Sequence, residues 1–304
     1  MKLYPLNVIE FQDAFPTVEA CYAYLCLVKW PEGFVCPQCK FREAWKLKRF
    51  LLKCKSCRKD ISVTAGTIFQ DRHMPLRLIF QAMWYIVCQK QGVSALSLQE
   101  ILGVGSYETV WTWLHKLRTA MVRPGRELLS GTVEVDETFV GGEKVGKRGR
   151  GAEGKELVLV AVEDHEKKGI GRIRFKHIPD ASSKTLEVAV SELVAPGSTV
   201  RTDGWRGYNT LEKQGFIHTV VKHKVKEPGE DSTPLVHRVA SLLKRWLLGT
   251  HQGALNFSHL HYYLDEFTFR FNRRTSKSRG QLFYRLVQQA LQVEPAPLVT
   301  LKAS

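Results

Sequence analysis

The feature that most narrows what this chain can fold into is a set of four closely spaced cysteines. Cys36 and Cys39 form one C-x-x-C pair, Cys54 and Cys57 a second, and fourteen residues separate the pairs. A C-x-x-C turn aims two thiolates at one point, and two such turns complete a tetrahedron around Zn²⁺. The spacer falls just short of the usual run of about 15–20 residues for such sites. The segments 45-WKLKRFLLK-53 and 60-DISVTAGTIF-69 are strand-like. Together these features predict a zinc ribbon with too little core to fold without its metal. Ribbon sites are closed, so the zinc is structural rather than catalytic. The competing reading is four unrelated structural cysteines. Cys21, Cys26 and Cys88 sit among apolar residues and are expected to be buried. An odd total of seven cysteines, with no export segment, argues against a disulfide framework.

The ribbon is studded with cations: Lys40, Arg42, Lys46, Lys48, Arg49, Lys53, Lys55, Arg58 and Lys59. The same bias runs through the whole chain. Its 304 residues hold 45 Lys and Arg against 30 Asp and Glu, a net charge of +15, and the pI is near 9.5. That balance points to a polyanion, with nucleic acid first and an anionic membrane surface as the rival. No apolar run reaches the roughly 18 residues of a spanning helix. The opening 1-MKLYPLNVIEFQDAF-15 carries acids and lacks the apolar core of a signal peptide. A cytoplasmic protein is expected.

After the ribbon, 75-PLRLIFQAMWYIVCQKQ-91 reads as an apolar helix ended by Gly92. The stretch 94-SALSLQEILGVGSYETVWTWLHKLRTAM-121 has the pattern of a helix-turn-helix. Ser97–Leu102 makes a first helix, Gly103-Val104-Gly105 a turn, and Ser106 an N-cap for a second helix. Val110, Trp113, Leu114, Leu117 and Met121 form the apolar stripe of that second helix. Tyr107, Thr109, Thr112, Lys116 and Arg118 are its candidate DNA contacts. A plain helical hairpin is the alternative. Pro124-Gly125 marks a boundary.

Beyond it the pattern becomes mixed α/β. In 131-GTVEVDETFVGG-142, Val133 and Val135 share one face, and Glu134 and Asp136 share the other. Strands follow at 156–166 and 171–180, then a helix at 182–194. A short strand runs into Asp203-Gly204, and another spans 216–223. Helices at 236–248, 258–271 and about 280–292 finish the chain. Three strands, a helix, two strands and more helices is the element order of an RNase H-like domain. Phosphoryl transfer with two divalent ions needs carboxylates on rigid elements converging on metals about 3.5–4 Å apart. Asp136 within a strand and Asp203 at a strand end are the candidates. Glu134 rivals Asp136 because it shares its face, whereas Glu137 points the other way. On the helix 234-PLVHRVASLLKRWLLG-249, His237, Ser241 and Lys244 stack on one side. The expected domains are 1–70 (ribbon with a helical lead-in), 71–124 (helix-turn-helix), 125–275 (catalytic) and 276–304 (C-terminal helix and tail).

The stretches CPQC and CKSC, VEVDETFVGG, VRTDGWRGY, SLLKRWLLGTHQG and YLDEFTFRFNRR occur in that order. In this they resemble the zinc-ribbon DDE-type insertion-sequence transposases of the ISXO-like group, over roughly residues 15 to 285. The resemblance implies an RNase H-like core, with Asp136 and Asp203 as the first two catalytic acids. It also implies cutting and joining at the element's own DNA ends. The family's third acid usually lies seven residues before a Lys or Arg. Counting back from Lys244 (244 − 7 = 237) gives His237, 34 residues after Asp203 (237 − 203). A neutral imidazole still binds a divalent ion but removes one negative charge, which favours Mn²⁺ over Mg²⁺. Glu230, Asp231 and Glu266 are alternative ligands. Lys244 is expected on a phosphate near the scissile bond. Lys147, Arg148 and Arg150 in one basic run, and Arg270, Arg273 and Arg274 in another, are expected on DNA phosphates, with solvated loops as the alternative. The partners implied are the element's terminal inverted repeats, target DNA, and a second copy of the chain when assembled. Placement on the nucleoid of a bacterial cell follows from the same reading. The competing functions are a non-catalytic DNA-binding regulator and a nuclease that cuts without joining.

Overall fold

The computed structural model describes residues 3–89, 91–123, 125–141, 155–221, 232–252, 256–295 and 301. The chain divides into two compact units, residues 1–123 with 275–304, and residues 124–274. In the first unit, α1 (Val8–Ala14) and α2 (Val18–Lys29) each start on a side-chain cap. Asn7 accepts from the Glu10 amide and Thr17 from the Ala20 amide. The ribbon is a sequential antiparallel sheet of β1 (Ala44–Lys46), β2 (Leu51–Cys54) and β3 (Asp60–Ser62).

Next come α3 (Leu76–Cys88), α4 (Ala95–Leu102) and α5 (Tyr107–Ala120). Gly103 ends α4 in the left-handed region at φ 62°, a conformation glycine adopts without strain. Ser106 caps α5 by accepting the Thr109 amide. The stripe from Val110 to Met121 is buried, as the 3.6-residue period requires. Cys21 is buried, but Cys26 and Cys88 are only half-buried, Cys88 being the last residue of α3.

The second unit is built on one five-stranded sheet. Its chain order is β4 (Thr132–Gly141), β5 (Lys155–Asp164), β6 (Ile170–Ile178), α6 (Ser183–Leu193), β7 (Thr199–Thr202), β8 (Ile217–Val220), α7 (Pro234–His251) and α8 (Leu260–Phe271). The spatial order is β6-β5-β4-β7-β8. The first three strands are an antiparallel meander, while β7 runs parallel to β4 and β8 parallel to β7. Both faces are covered. Val133, Val135, Leu159, Ala161 and Val200 pack with Leu186 and Val190 of α6. Val158, Val160 and Val162 pack with Val239 and Leu243 of α7 and Phe267 of α8. This is why β5 reads as a nearly unbroken apolar run rather than an alternating one. The strand order and connections are those of an RNase H-like domain.

The last helix, α9 (Arg279–Ala290), belongs to the first unit. The sequence sets residues 276–304 apart as a C-terminal helix and tail. Instead Phe283 meets Phe11, Phe15 and Phe80 with ring centroids 5.4, 5.6 and 5.6 Å away. A Cβ at Gly280 would lie 1.5 Å from the Pro5 carbonyl oxygen, so only glycine permits this close approach. No described helix is long and apolar enough to cross a membrane.

Candidate active site and metal centre

The four cysteines sit on two copies of one backbone turn. In the first, Cys36 N–H donates to the Phe41 carbonyl and Lys40 N–H to that of Cys36; in the second, Cys54 N–H donates to Lys59 and Arg58 N–H to Cys54. Lys40 and Arg58, each just after the second cysteine of its pair, are left-handed at φ 63° and 61°. Across the turns, the Cys36–Cys57 and Cys39–Cys54 sulfurs are 3.7 and 3.5 Å apart, and all four lie within 4.8 Å of one another. A tetrahedron with Zn–S bonds of about 2.3 Å has edges of about 3.8 Å, so the thiols fit a zinc ion. The Phe41 amide favours the Cys39 thiolate and brings its pKa down to about 6. Despite the Lys59 amide, burial and the neighbouring thiols push Cys57 up to about 11. A positive ion among them reverses that last penalty.

The carboxylate site is built on strand register. In the parallel pair, Glu134 of β4 sits opposite Arg201 of β7. The pairing ends there; Asp136 lies two residues further along β4, and Asp203 two residues further along the chain, just past the end of β7. Asp203 follows the last residue of β7 and accepts the Trp205 amide at 2.9 Å, closing a turn in which Gly204 has φ 85°. Asp136 is held more tightly. Its Oδ1 accepts the Glu137 amide at 2.7 Å, and its Oδ2 accepts the Thr233 hydroxyl at 3.0 Å. His237 Nε2 lies 3.2 Å from the same Oδ2, with 54% of the imidazole side exposed against 11% for the aspartate.

His237, Ser241 and Lys244 all face outward on α7, and Lys244 stands about 10.5 Å further along the axis at 1.5 Å per residue. Burial lowers the Lys244 pKa, and Lys155 adds to that effect. Among the described residues, only the cysteines place three or more ligand atoms within 4.8 Å. His237 and Asp136 are neighbours and do not form part of a closed cage. Two carboxylates and an imidazole are a hard-to-borderline donor set suited to Mg²⁺ or Mn²⁺.

Glu134, the rival of Asp136, is otherwise engaged. It is 1% exposed, and its Oε2 accepts the Leu235 and Val236 amides at 2.8 and 3.3 Å. Those are orphan donors at the start of α7, where a negative charge is favoured. Burial raises its pKa, while the two amides and Arg201 act against that rise. Thr233, the N-cap position, spends its hydroxyl on Asp136 instead of on the helix. Glu137 lies on the opposite face of β4. Burial, then the Asp136 charge, push its pKa up to about 7.

The candidate DNA contacts divide. Lys116 is half-exposed with its ammonium 5.1 Å from the Trp113 ring centroid. Arg118 is 2% exposed beside His115, so it is a core residue and not a DNA contact. Arg270 is largely covered, paired with Glu266 four residues earlier and lying over the Trp246 ring. Glu266 is therefore structural as well. Arg273 covers the Phe269 ring and donates to the Phe269 carbonyl. Arg274 covers Phe271 and donates to the Gly171 and Ile170 carbonyls, anchoring the end of α8 to β6. Neither guanidinium is a free phosphate clamp. Lys147, Arg148, Arg150, Glu230 and Asp231 lie outside the described residues.

Comparison with known proteins gives the same organisation. Residues 128–272 match the ISXO2-like transposase domain, and residues 16–60 the transposase zinc-ribbon domain. The chain is 28% identical over 253 residues to an uncharacterized protein in transposable element ISH50 of Halobacterium salinarum, covering 75% of this chain and 82% of that one. Among solved structures it is similar to the catalytic core of BIV integrase, at 17% identity and TM-score 0.31, covering 45% of this chain and 82% of that one. It is similar too to a simian T-cell lymphotropic virus intasome in complex with PP2A regulatory subunit B56 gamma, at 17% identity and TM-score 0.32, covering 62% and 74%. The strand order, not this distant likeness, carries the fold assignment. The chain thus carries a transposase zinc-ribbon domain around the cysteine turns, followed in chain order by an ISXO2-like transposase domain that holds Asp136 and Asp203.

Proposed function

We propose that this protein is a DNA transposase that cleaves the ends of its insertion sequence and joins the freed 3′-OH to target DNA. The observation that carries the reading is the 3.2 Å approach of His237 to Asp136, on the strand whose parallel neighbour β7 leads into Asp203. Asp136 and Asp203 are the ligands for Mg²⁺ or Mn²⁺. When bound, such ions lower the pKa of water, orient the phosphodiester and neutralise charge on both oxygens of an in-line displacement. His237 either completes the ligand set or holds the attacking oxygen. Ligation through Nε2 requires it to release the contact with Asp136. Thr233 holds the Asp136 carboxylate in orientation. Lys244, on the same face of α7, contacts a phosphate beside the scissile bond.

The ribbon and the α4–α5 pair recognise the terminal repeats, with Lys116 the remaining α5 cation suited to a phosphate. Lys147, Arg148 and Arg150 contact the DNA backbone. Joining two ends needs at least a dimer. The test is cleavage and strand transfer on DNA carrying the element ends, with Mg²⁺ or Mn²⁺. Asp136→Asn and Asp203→Asn should each lose more than the roughly 10–100-fold typical of residues that only support a ligand. Undiminished cleavage in either variant sinks the assignment. Cleavage without joining of pre-cut 3′-OH ends identifies a nuclease instead, and specific binding without cutting a regulator.

A further inference from the structure

The ribbon turns one face of its sheet to the cysteines and leaves the other open. Lys46, Leu52 and Ile61 are level across the three strands, and Leu52 and Ile61 pack in the cluster with Cys36 and Cys54. Side chains alternate along a strand, so the row Trp45, Lys53 and Asp60 stands on the outer face. Trp45 there is 40% exposed. An indole left this open adds little to folding, because much of its apolar surface stays in water.

The ring is set among cations. The Arg58 guanidinium lies 4.6 Å from its centroid and the Lys55 ammonium 6.0 Å. Lys53 is its direct cross-strand partner. Residues 34–62 hold nine Lys and Arg against two acids, Glu43 and Asp60. Among the described residues, Lys55 is the one cation of the nine with an ion-pair partner, Glu43 at 2.7 Å. A second ring stands at the tip of the same hairpin. The Leu47 amide donates to the Leu51 carbonyl and closes the turn Lys48–Phe50. Within it Arg49 and Phe50 are both left-handed, at φ 58° and 62°, a conformation costly for residues with a Cβ. Phe50 is held there by stacking on Tyr22, the ring centroids 3.9 Å apart and the planes 10° from parallel. Its ring is still 38% exposed.

These features separate two forms of DNA. A duplex presents phosphates and groove edges and keeps its base faces inside the stack, so cations alone serve its backbone. An exposed aromatic ring gains only where a base face is free, as it is in an unpaired strand, and every base has such a face. Two rings along one hairpin, with cations beside them, match bases and the phosphates that link them. We propose that the outer face of the ribbon binds unpaired DNA, with Trp45 and Phe50 stacking on bases while Arg49, Lys53 and Arg58 meet the phosphates. This deepens, and rests on, the reading of the ribbon as a DNA-binding module.

The test measures Kd by fluorescence anisotropy for a labelled mixed-sequence oligonucleotide, single-stranded or annealed to its complement, on the full zinc-loaded chain. Trp45→Ala should weaken single-strand binding by about 5- to 150-fold, the size of one base–aromatic stack, and leave duplex binding unchanged. Phe50→Ala should repeat that pattern, and Trp45→Phe should retain most of the affinity. The salt dependence of Trp45→Ala should match wild type, since no phosphate contact is lost. Zinc content is measured alongside. If Trp45→Ala sheds zinc, Trp45→Leu takes its place, keeping the apolar bulk without the π-face. Equal losses on single strand and duplex would make Trp45 a support of the ribbon's fold and overturn the proposal. Undiminished single-strand binding overturns it too. If wild type binds neither form, the DNA-binding reading of the ribbon fails and the proposal falls with it. Cleavage is no part of the readout, so failure of the catalytic reading leaves this test standing.

Discussion

In the ribbon, four thiols within twenty-two residues of sequence are aimed at one point by two equivalent backbone turns. In the sheet, Asp136 and Asp203 are 67 residues apart (203 − 136), and His237 lies 34 further on. A docked helix brings His237 to Asp136, and no backbone turn closes the three into a cage. On the proposed function, the contrast follows from what each site does. A structural ion must be held by a segment that has little else: the described core around the cysteines is Cys36, Cys54 and Ile61 with Trp30, Phe34 and Leu52 against it. A catalytic site must admit DNA, so its scaffold has to stand without the ion. Here it does, because the sheet is buried on both faces.

The largest effect should therefore come from breaking the ribbon. Cys54→Ser removes a buried ligand, and structural zinc contributes about 10–16 kcal/mol of apparent folding free energy in small zinc domains. Residues 34–62 should become protease-sensitive and exchange amide protons freely, with zinc content falling to near zero. The same loss is expected from a strong chelator. The comparison breaks if residues 34–62 stay protected without zinc, since the ribbon would then have a scaffold of its own.

A middling effect should come from the support of the carboxylate site. Glu134→Ala strips the acceptor from two amides at the start of α7, and an unpaired buried group costs about 1–3 kcal/mol. In a domain of this size each kcal/mol lowers Tm by about 2–4 °C. Glu134→Gln keeps an acceptor and loses only the charge at the helix end, about 0.3–1 kcal/mol. Melting curves of both variants measure this. If Glu134→Ala keeps its Tm and instead loses the response to Mn²⁺, Glu134 is a ligand rather than a cap.

Residue chemistry explains which parts were readable in advance. The ribbon was legible because its ligands are local and thiol spacing is itself geometry. Asp136, Asp203 and the helix carrying His237 were legible from strand placement, the family motifs and a seven-residue step. What alternation cannot do is separate Glu134 from Asp136, which share a face. The separation comes from α7 resting its first amides on one of them. Thr233 gave no signal, since it follows a loop and its partner is 97 residues away. Arg118 and Arg270 show that charge is not exposure: the first is buried and the second largely covered. Yet Arg118 falls four residues after Leu114, on the apolar stripe, and Arg270 falls four after Glu266, the spacing of a helical ion pair. Both signals were present and were outweighed by the basic composition around them.

The smallest effect sharpens the comparison, because it probes a carboxyl in the sheet unit that has neither a metal nor a docked helix end to satisfy it. Asp265 on α8 has its pKa pushed up to about 7 by burial, although Arg126 and Arg174 pull the other way. Its ordinary value is 3.8, so between those pH values the folded protein binds a proton that the unfolded chain has released. Stability from this group is complete below pH 3.8 and is lost as pH rises through about 7. Asp265→Asn removes the titration. The variant's Tm should match wild type near pH 4 and exceed it by a few degrees near pH 8, with the gap opening between. Taking the difference between the two proteins cancels the other titrating groups, provided they do not couple to Asp265. A gap that is constant across pH would mean that Asp265 stays ionised throughout, its two arginines outweighing burial. The sheet unit would then satisfy its buried acids as fully as the ribbon satisfies its thiols.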